Sequence, residues 1–344
     1  MRVELLRLGA AERTAMDVLF AAPFAPLPGE PPPALHPTVG IRPRYHHEIF
    51  TLLQGLGLKV TSCRDLADLP AALGRHNYVF SLYSRAPFRN CEVYVPALCE
   101  AAGIAYMGAP PNIRAMAEDK YLSKALALAA GLPVPPGRPY VSADDLVEEP
   151  DFAGPYFVKY RFGSASEDVS EESVQASWRG ARERARALLA MGKEVLVERC
   201  IAGTDMTVPV LGGPVPLWLP AAEEISDLPY GIATFRQKRF LKQTRRRRIV
   251  ADGPLAERLG NLSLSLAQRM LPFDYMRADY RCETGTGEIY FIETNIACNL
   301  GSTAAIAQSA AQAGLSHAAI IEHILVHSVR RQGLQRTRLK TDNI

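Results

Sequence analysis

The chain has 344 residues, of which 48% are hydrophobic and 22% charged, and its formal net charge is +3. This length exceeds what one ordinary core organises, so we expect two or three domains or lobes. The near-neutral charge indicates no strong polyanion partner, and no apolar run approaches the roughly 20 residues of a membrane span. The six cysteines lack any Cys-x-x-Cys pair, which favours neither a zinc site nor a disulfide framework. We therefore expect a cytoplasmic protein without a membrane partner.

The N-terminal part of the chain predicts an α/β domain. Residues 22–37 hold seven prolines and predict an extended surface arm, because proline interrupts helices and central strands. A helix is predicted over 45–55. A strand at 76–84, a helix at 91–103 and a strand at 104–108 then follow, and this β-α-β order predicts a parallel sheet.

The rest of the chain predicts an antiparallel α+β arrangement. One helix is predicted over roughly 113–130, ended by the Gly-Leu-Pro stop signal that follows it. The later predicted elements are strands at 156–160, 194–199, 206–211, 276–281 and 288–294 and a helix at 178–191. The polar, basic residues at the C-terminus predict a frayed tail.

A predicted hairpin near the C-terminus brings two carboxylates together. In RADYRCETGTGEIYFIETN the TGTG turn sets Asp279 opposite Glu293 and Arg277 opposite Asn295, with all four side chains on one face. Opposed carboxylates are unfavourable unless a cation lies between them, and their oxygen ligands suit Mg²⁺. The adjacent arginine suits a bound anion such as a phosphate. The alternative is a solvent-facing polar surface on which Arg277 merely neutralises the acids.

Two lysines provide a second signal. Lys159 ends the apolar strand YFVKY and leads into the small-residue loop Gly163–Ser166, whose backbone N–H groups can approach phosphate oxygens closely. Lys120 begins a helix upstream. Strand lysines and Gly-Ser loops are common, so a purely structural role is the alternative for this pattern alone.

The order of these segments is more specific than any one of them. In chain order they are MAEDK (116–120), AGLPVP (130–135), FVK (157–159) with its Gly-Ser loop, LVERCIAG (196–203), RAD (277–279) and ETN (293–295). Over roughly residues 76–328 this series resembles the ATP-grasp superfamily and, within it, the D-alanine–D-alanine ligase group. The resemblance implies an ATP-grasp fold, in which an N-terminal parallel α/β domain precedes two α+β lobes that sandwich ATP. The implied division is an N-terminal domain with the arm (1–110), a central lobe (111–196), a C-terminal lobe with the metal site (197–330) and a tail (331–344).

The resemblance also implies ATP-binding residues. These are Lys120 and Lys159 at the phosphates, Gly163 and Ser164 in the loop above them, Glu198 and Ile201 at the adenine, Asp205 at the ribose, and Lys238 on a second loop over the site. Arg236 and Lys242 compete with Lys238 for that last role. The neighbouring run Arg245–Arg248 would be the starting point of a nucleic-acid-binding hypothesis, but without aromatic interleaving we favour an arginine-rich loop over ATP.

For the metal and the chemistry, the resemblance implies that Asp279, Glu293 and Asn295 bind Mg²⁺, with Mn²⁺ as the alternative and two ions expected. Arg277 would steady an acyl phosphate and Ser164 would close the loop over the phosphates. The implied reaction is activation of a carboxylate by ATP, followed by attack of an amine, with ADP released. Other possibilities are cyclisation of a single biosynthetic substrate and a nucleotide-binding or nucleic-acid-binding regulator. A homodimer is left open.

The chain departs from the family pattern in three places, of which the first two concern the substrates. The family's glycine-rich turn followed by Ser and Glu is not visible in residues 1–60. In place of the family's Leu-Pro-Gly segment the chain reads IACNLGS over 296–302, where Asn299 and Ser302 are candidate contacts to the amine substrate. The phosphate loop is also one residue shorter. We therefore expect small amino-acid-like substrates other than two D-alanines. Cys298 is a space-filling residue or, alternatively, a nucleophile.

Overall fold

The computed structural model describes six stretches of the chain. They are residues 4–34, 40–84, 88–162, 169–226, 229–231 and 246–334. The α-helices in them are α1 (Ala10–Ala15), α2 (Arg42–Gly55), α3 (Leu69–Leu73), α4 (Cys91–Ala102), α5 (Pro111–Glu118), α6 (Lys120–Ala129), α7 (Trp178–Ala190), α8 (Pro254–Arg269), α9 (Ala305–Gln312) and α10 (His317–Gln332). The strands are β1 (Asp17–Ala21), β2 (Lys59–Cys63), β3 (Tyr78–Ser81), β4 (Ala105–Tyr106), β5 (Gly137–Tyr140), β6 (Tyr156–Tyr160), β7 (Val174–Gln175), β8 (Val195–Arg199), β9 (Gly203–Leu211), β10 (Leu217–Trp218), β11 (Ala221–Ile225), β12 (Arg246–Val250), β13 (Tyr275–Glu283) and β14 (Ile289–Asn295). None of these helices is long and apolar enough to cross a membrane.

The N-terminal sheet is parallel, as predicted, with strand order β2-β1-β3-β4. β1 and β3 read DVLFA and YVFS, and such continuous apolar runs are typical of parallel strands covered on both faces. α4 connects β3 to β4 and ends at Gly103, whose φ of 66° is the left-handed conformation that glycine adopts readily. The proline-rich arm contains no helix or strand in residues 22–34, also as predicted.

The other two sheets are antiparallel, which confirms the predicted α+β arrangement. The central sheet has the order β5-β8-β6-β7 and packs against α7. The C-terminal sheet has the order β12-β11-β9-β13-β14, with β10 paired to β9, and α8 covers part of its apolar face. α10 returns to the N-terminal sheet, where the Tyr78 hydroxyl donates to Ser328 Oγ over 2.8 Å.

The prediction of a single helix over 113–130 is wrong, because the chain forms two helices, α5 and α6, which are separated at Asp119. This residue is extended (φ −84°, ψ 103°), and its carboxylate accepts the N–H groups of Tyr121 and Leu122 at the start of α6. Arg161, distant in sequence, holds the same carboxylate through Nε at 2.8 Å and Nη2 at 2.6 Å. A capping carboxylate fixed by a remote arginine therefore begins a new helix at Lys120.

The arginine run is also not wholly a loop, because Arg246, Arg247 and Arg248 lie in strand β12. There they pair with β11, where Arg247 Nε donates to Glu224 over 2.7 Å and Arg248 Nε to Glu223 over 2.6 Å. The acidic pair on the neighbouring strand thus neutralises part of the run.

Asp274, just before β13, links the C-terminal sheet to the N-terminal domain and α10. It is fully buried, accepts the N–H of Gly108 at 2.6 Å and the Nε of Arg331 at 3.1 Å, and Arg331 Nη2 also donates to Gly108 O. Burial raises the pKa of this carboxyl, and the charge of Arg331 opposes the rise. The two parts of the chain are therefore joined by a buried charge network.

Asp274→Ala leaves Arg331 and the Gly108 N–H without their acceptor. We expect it to lower the free energy of unfolding by about 3–5 kcal/mol, as breaking a buried ion pair does. Glu172→Ala is the control, because that carboxylate is 76% exposed beside Arg184, and it should cost no more than about 1 kcal/mol. Urea denaturation measures both, and equal costs would contradict the structural role assigned to Asp274.

Candidate active site

The hairpin of β13 and β14 has the predicted pairs at its open end. Asp279 lies opposite Glu293 and Arg277 opposite Asn295. Nearer the turn the register differs by one residue, because an irregularity next to Asp279 leaves Ile292 as an extra residue on β14. Such a bulge re-aims side chains locally. Two carboxylates thus face each other across the hairpin.

Asp279 is held by four hydrogen bonds. Arg277 donates Nε to Oδ1 at 2.8 Å and Nη2 to Oδ2 at 2.6 Å, Thr207 Oγ1 donates to Oδ1 at 2.8 Å, and Asn295 Nδ2 donates to Oδ2 at 3.1 Å. Burial raises the pKa of Asp279 and the Arg277 guanidinium opposes the rise. A carboxylate has about four acceptor positions in all. Any further partner of Asp279 must therefore replace one of these bonds.

Glu293 faces a lysine and a pocket. Lys120 Nζ is 3.7 Å from Glu293 Oε2, and burial lowers the pKa of Lys120 while Glu293 opposes the change. The pocket is lined by Glu92, Ala117, Glu118, Lys120, Phe162, Glu293, Thr294 and Asn295. The pocket is therefore lined by one predicted phosphate-binding residue, Lys120, and by two predicted metal ligands, Glu293 and Asn295. Glu92 and Glu118 are not predicted there from the sequence. Burial, and then the charge of Glu92, raise the pKa of Glu118 to about 7.

A second cluster surrounds Glu198, which is buried at 2% exposure. Lys159 Nζ lies 2.6 Å from Glu198 Oε2 and Lys124 Nζ lies 2.9 Å from Oε1. Burial alone would raise the pKa of Glu198, but the charges of the two lysines outweigh it and hold the pKa below its usual range. The structure thus brings Lys159 and Glu198 into contact, although the predicted roles place them at opposite ends of ATP.

Lys124 is a member of this cluster that sequence analysis misses. Its Nζ also donates to Phe291 O over 3.1 Å, and burial lowers its pKa to about 8 while Glu198 opposes the change. The signal available in the sequence is its spacing, because Lys120 and Lys124 stand four residues apart and so share one face of α6.

Ile201 and Asp205 are brought together by Arg281, another residue that sequence analysis misses. Arg281 Nη1 donates to Asp205 Oδ1 over 2.7 Å, and its Nε and Nη2 donate to Ile201 O over 3.2 and 2.9 Å. A third contact joins it to Gly231 O at 2.9 Å. The predicted adenine and ribose residues thus share one buried arginine as their anchor.

The loop after β14 is held by side chains of α2 and α10. Leu300 N–H donates to Tyr45 Oη over 3.1 Å, and Ser302 N–H donates to the Glu48 carboxylate over 3.1 and 3.3 Å. The predicted substrate residue Asn299 uses its Oδ1 to accept Gly301 N–H at 2.7 Å. Asn299 and Ser302 are both exposed. Glu48 and Tyr45 carry no recognisable signal in the sequence.

Other predicted residues are set apart from these clusters. Gly163, Ser164, Arg236, Lys238 and Lys242 lie outside the described residues. Cys298 is buried, and burial raises its pKa to about 12, so its thiol is protonated at neutral pH. That protonation favours the space-filling alternative over a nucleophile.

The donor set of the hairpin suits a hard cation. Within the described residues there is no cluster of three or more His, Cys, Asp or Glu side chains placed to hold a metal. The candidate metal site therefore consists of two carboxylates and one carboxamide, whose oxygens are the ligands Mg²⁺ prefers. Because Asp279 already accepts four hydrogen bonds, a cation at this carboxylate would have to replace part of the Arg277 contact.

Most of the chain is similar in sequence to known proteins. A family model described as the D-ala D-ala ligase C-terminus matches residues 142–326. The D-alanine--D-alanine ligase of Aquifex aeolicus (strain VF5) is 28% identical over 232 residues, covering 67% of this chain and 76% of that protein. The D-alanine--D-alanine ligase of Oleidesulfovibrio alaskensis is 27% identical over 301 residues, covering 83% and 91%.

Among solved structures, the D-alanine--D-alanine ligase from Bacillus anthracis complexed with ATP has a TM-score of 0.70 at 17% sequence identity, covering 92% of this chain and 99% of that chain. This likeness confirms the predicted fold, in which a parallel α/β domain precedes α+β lobes.

Glu198→Gln removes the negative charge between two buried lysines. We expect it to lower the free energy of unfolding near neutral pH by about 3–5 kcal/mol. The folded-state pKa of Lys124 is depressed to about 8 from 10.5, and the variant should depress it further. The folded wild type therefore holds this proton more tightly, and its advantage over the variant should shrink as the pH rises towards about 8, above which Lys124 is deprotonated in both folded proteins.

Urea denaturation at about pH 6 and about pH 9 measures that difference. Glu148→Gln is the control, because Glu148 pairs with Arg138 at 71% exposure. A loss of stability in Glu198→Gln that grew with rising pH would contradict the assigned charge pairing.

Proposed function

The chain belongs to the family of the D-ala D-ala ligase C-terminus, and on that premise we propose that it is an ATP-grasp ligase that joins a carboxylate to an amine. In the first step the substrate carboxylate attacks the γ-phosphorus of ATP, which gives an acyl phosphate and ADP. In the second step the amine attacks the acyl carbon, so that an amide forms and phosphate leaves. The opposed pair of Asp279 and Glu293, beside Lys120 and Arg277, is the observation that carries this proposal.

The proposed roles follow from the charges. Lys120 and Lys159 would neutralise the ATP phosphates. Glu198 would then lose its contact with Lys159 and keep Lys124 as its counter-ion. Its carboxylate would also accept a hydrogen bond from the adenine amino group. The contacts of both lysines with Glu198 support this proposed exchange. Phosphoryl transfer depends mainly on positioning and charge neutralisation, which these groups supply.

The hairpin would hold Mg²⁺ through Asp279, Glu293 and Asn295, and the ion would neutralise phosphate charge when bound. Arg277, displaced from Asp279, would then be available for the negative charge of the acyl phosphate. Asp205 and the backbone at Ile201 would receive the ribose and adenine.

We further propose that the substrates differ from two D-alanines. The support is the loop after β14, in which Asn299 Oδ1 and the Ser302 N–H are engaged by the chain itself. An amine substrate therefore meets a different set of groups from the Leu-Pro-Gly turn of the resembling family.

Products distinguish this proposal from other uses of ATP. Incubation with ATP, Mg²⁺ and a panel of L- and D-amino acids should release ADP and phosphate in an amine-dependent manner, with a new amide detected by mass spectrometry. Release of AMP and pyrophosphate would contradict the acyl-phosphate route, and binding of ATP without turnover across the panel would favour a regulator instead.

Glu293→Gln removes one negative charge facing the proposed cation while retaining the side-chain shape. We expect kcat to fall by about 100-fold or more, because charge neutralisation in phosphoryl transfer is lost. Glu288→Gln on the same hairpin is the matched control, since Glu288 is 51% exposed beside Arg258. Steady-state ADP release measures kcat for both variants. Near-normal turnover of Glu293→Gln would contradict the role of Glu293 in the proposed site.

A further inference from the structure

The loop formed by residues 299–303, here called the acceptor loop, has three consecutive N–H groups bound by side chains. Leu300 N–H donates to Tyr45, Gly301 N–H to Asn299 and Ser302 N–H to Glu48. These three side chains converge, because a Cβ on Gly301 would lie 3.1 Å from Asn299 Oδ1, 3.1 Å from Tyr45 Cδ2 and 3.5 Å from Glu48 Oε2. Successive backbone N–H groups favour an anion. Of these three N–H groups, that of Ser302 binds an anion, the Glu48 carboxylate, whereas the acceptors of the other two are the neutral Tyr45 and Asn299 side chains.

The acceptor loop is fixed from further sides. His317 Nε2 lies 2.6 Å from Leu300 O, and its Nδ1 lies 3.7 Å from Glu48 Oε1. Arg247 Nη1 donates to Thr303 O over 3.3 Å. The backbone is therefore held by α2, α10 and β12, and Glu48 contacts both the Ser302 N–H and His317.

The acceptor loop is connected to the strand that carries Arg277 and Asp279. It follows the candidate metal ligand Asn295 by four residues, a reach of about 14 Å at full extension. Cys298 directly precedes the loop, and its carbonyl oxygen accepts a hydrogen bond from the Tyr275 hydroxyl over 3.3 Å. Tyr275 is the first residue of β13, the strand that carries Arg277 and Asp279. The exposed side chains of Asn299 and Ser302 then border solvent.

We propose that Glu48 determines which amine this ligase accepts: it occupies the Ser302 N–H and excludes substrates that bring a carboxylate to the acceptor loop. A carboxylate there would meet a like charge and find its hydrogen-bond donor taken. An uncharged or cationic group can instead donate to Glu48. The acceptor is thus an amine without a free α-carboxylate, such as an amino-acid amide or a diamine. This inference rests on the proposed ligase function.

The test compares each amino acid with its own carboxamide as the acceptor, with ATP, Mg²⁺ and a panel of free amino acids as donors. For the wild type we expect kcat/KM for the amide to exceed that for the free acid by about tenfold or more, given the cost of like charges. Glu48→Gln keeps an acceptor for the Ser302 N–H but removes the charge, and it should reduce this preference. Glu48→Ala opens the N–H group and should reduce it further.

The changes should appear in the KM for the acceptor and leave the KM for ATP as it is. Glu257→Gln, an exposed carboxylate on α8, is the control and should retain the wild-type preference. If Glu48→Ala fails to fold, the acceptor preference of Glu48→Gln alone tests the proposal.

Two failures are distinguishable. Amine-dependent ADP release with the same ratio of kcat/KM for the amide and the free acid in wild type and both variants would overturn the role of Glu48. The proposed ligase function would not be affected. A wild type that prefers free amino acids would have the same consequences. No amine-dependent ADP release with any pair would overturn the ligase proposal and this inference with it.

Discussion

The antiparallel register that sets Asp279 opposite Glu293 is the constraint on which the candidate site depends. Two carboxylates facing each other on neighbouring strands repel, and partial burial increases the cost. The chain offsets that cost with Arg277 on the same strand as Asp279 and with Lys120 at the start of α6. The hairpin is thus stable as a charge-balanced unit before any ligand is considered.

The same principle governs the second cluster. Glu198 is buried between Lys124 and Lys159, so that the two lysines share one counter-charge in the protein itself. Binding of an anionic nucleotide with a divalent cation would then exchange partners, with phosphate replacing Glu198 at Lys159 and the cation replacing Arg277 at Asp279. An exchange of this kind costs less than exposing unpaired buried charges.

Local pattern and turn chemistry predict much of this arrangement. The TGTG turn led to the correct pairs at Asp279 and Arg277, although the extra residue Ile292 shows that the register near the turn differs by one. A bulge depends on both strands and their neighbours, so alternation along one strand does not reveal it. Strand β6 has its predicted bounds because a short apolar run between turns has few alternatives.

The sequence-based predictions are wrong or incomplete where a residue distant in sequence determines the local structure. The helix predicted over 113–130 divides because Arg161 fixes the Asp119 cap, and the arginine run extends as β12 because Glu223 and Glu224 lie opposite it. Arg281 and Glu48 act on backbone groups about 50 to 250 residues away in sequence. Such contacts exist only in the folded chain, so no spacing in one sequence indicates them.

The most direct test of the central claim, that the hairpin is the cation site of a nucleotide-binding centre, is the Mg²⁺ dependence of nucleotide affinity. Calorimetric titration with a non-hydrolysable ATP analogue, with Mg²⁺ or with a chelator, gives this quantity for the wild type and for Asp279→Asn. We expect Mg²⁺ to tighten binding to the wild type by about tenfold or more and the variant to lose most of this gain. Equal gains in both proteins, or no gain in the wild type, would contradict it.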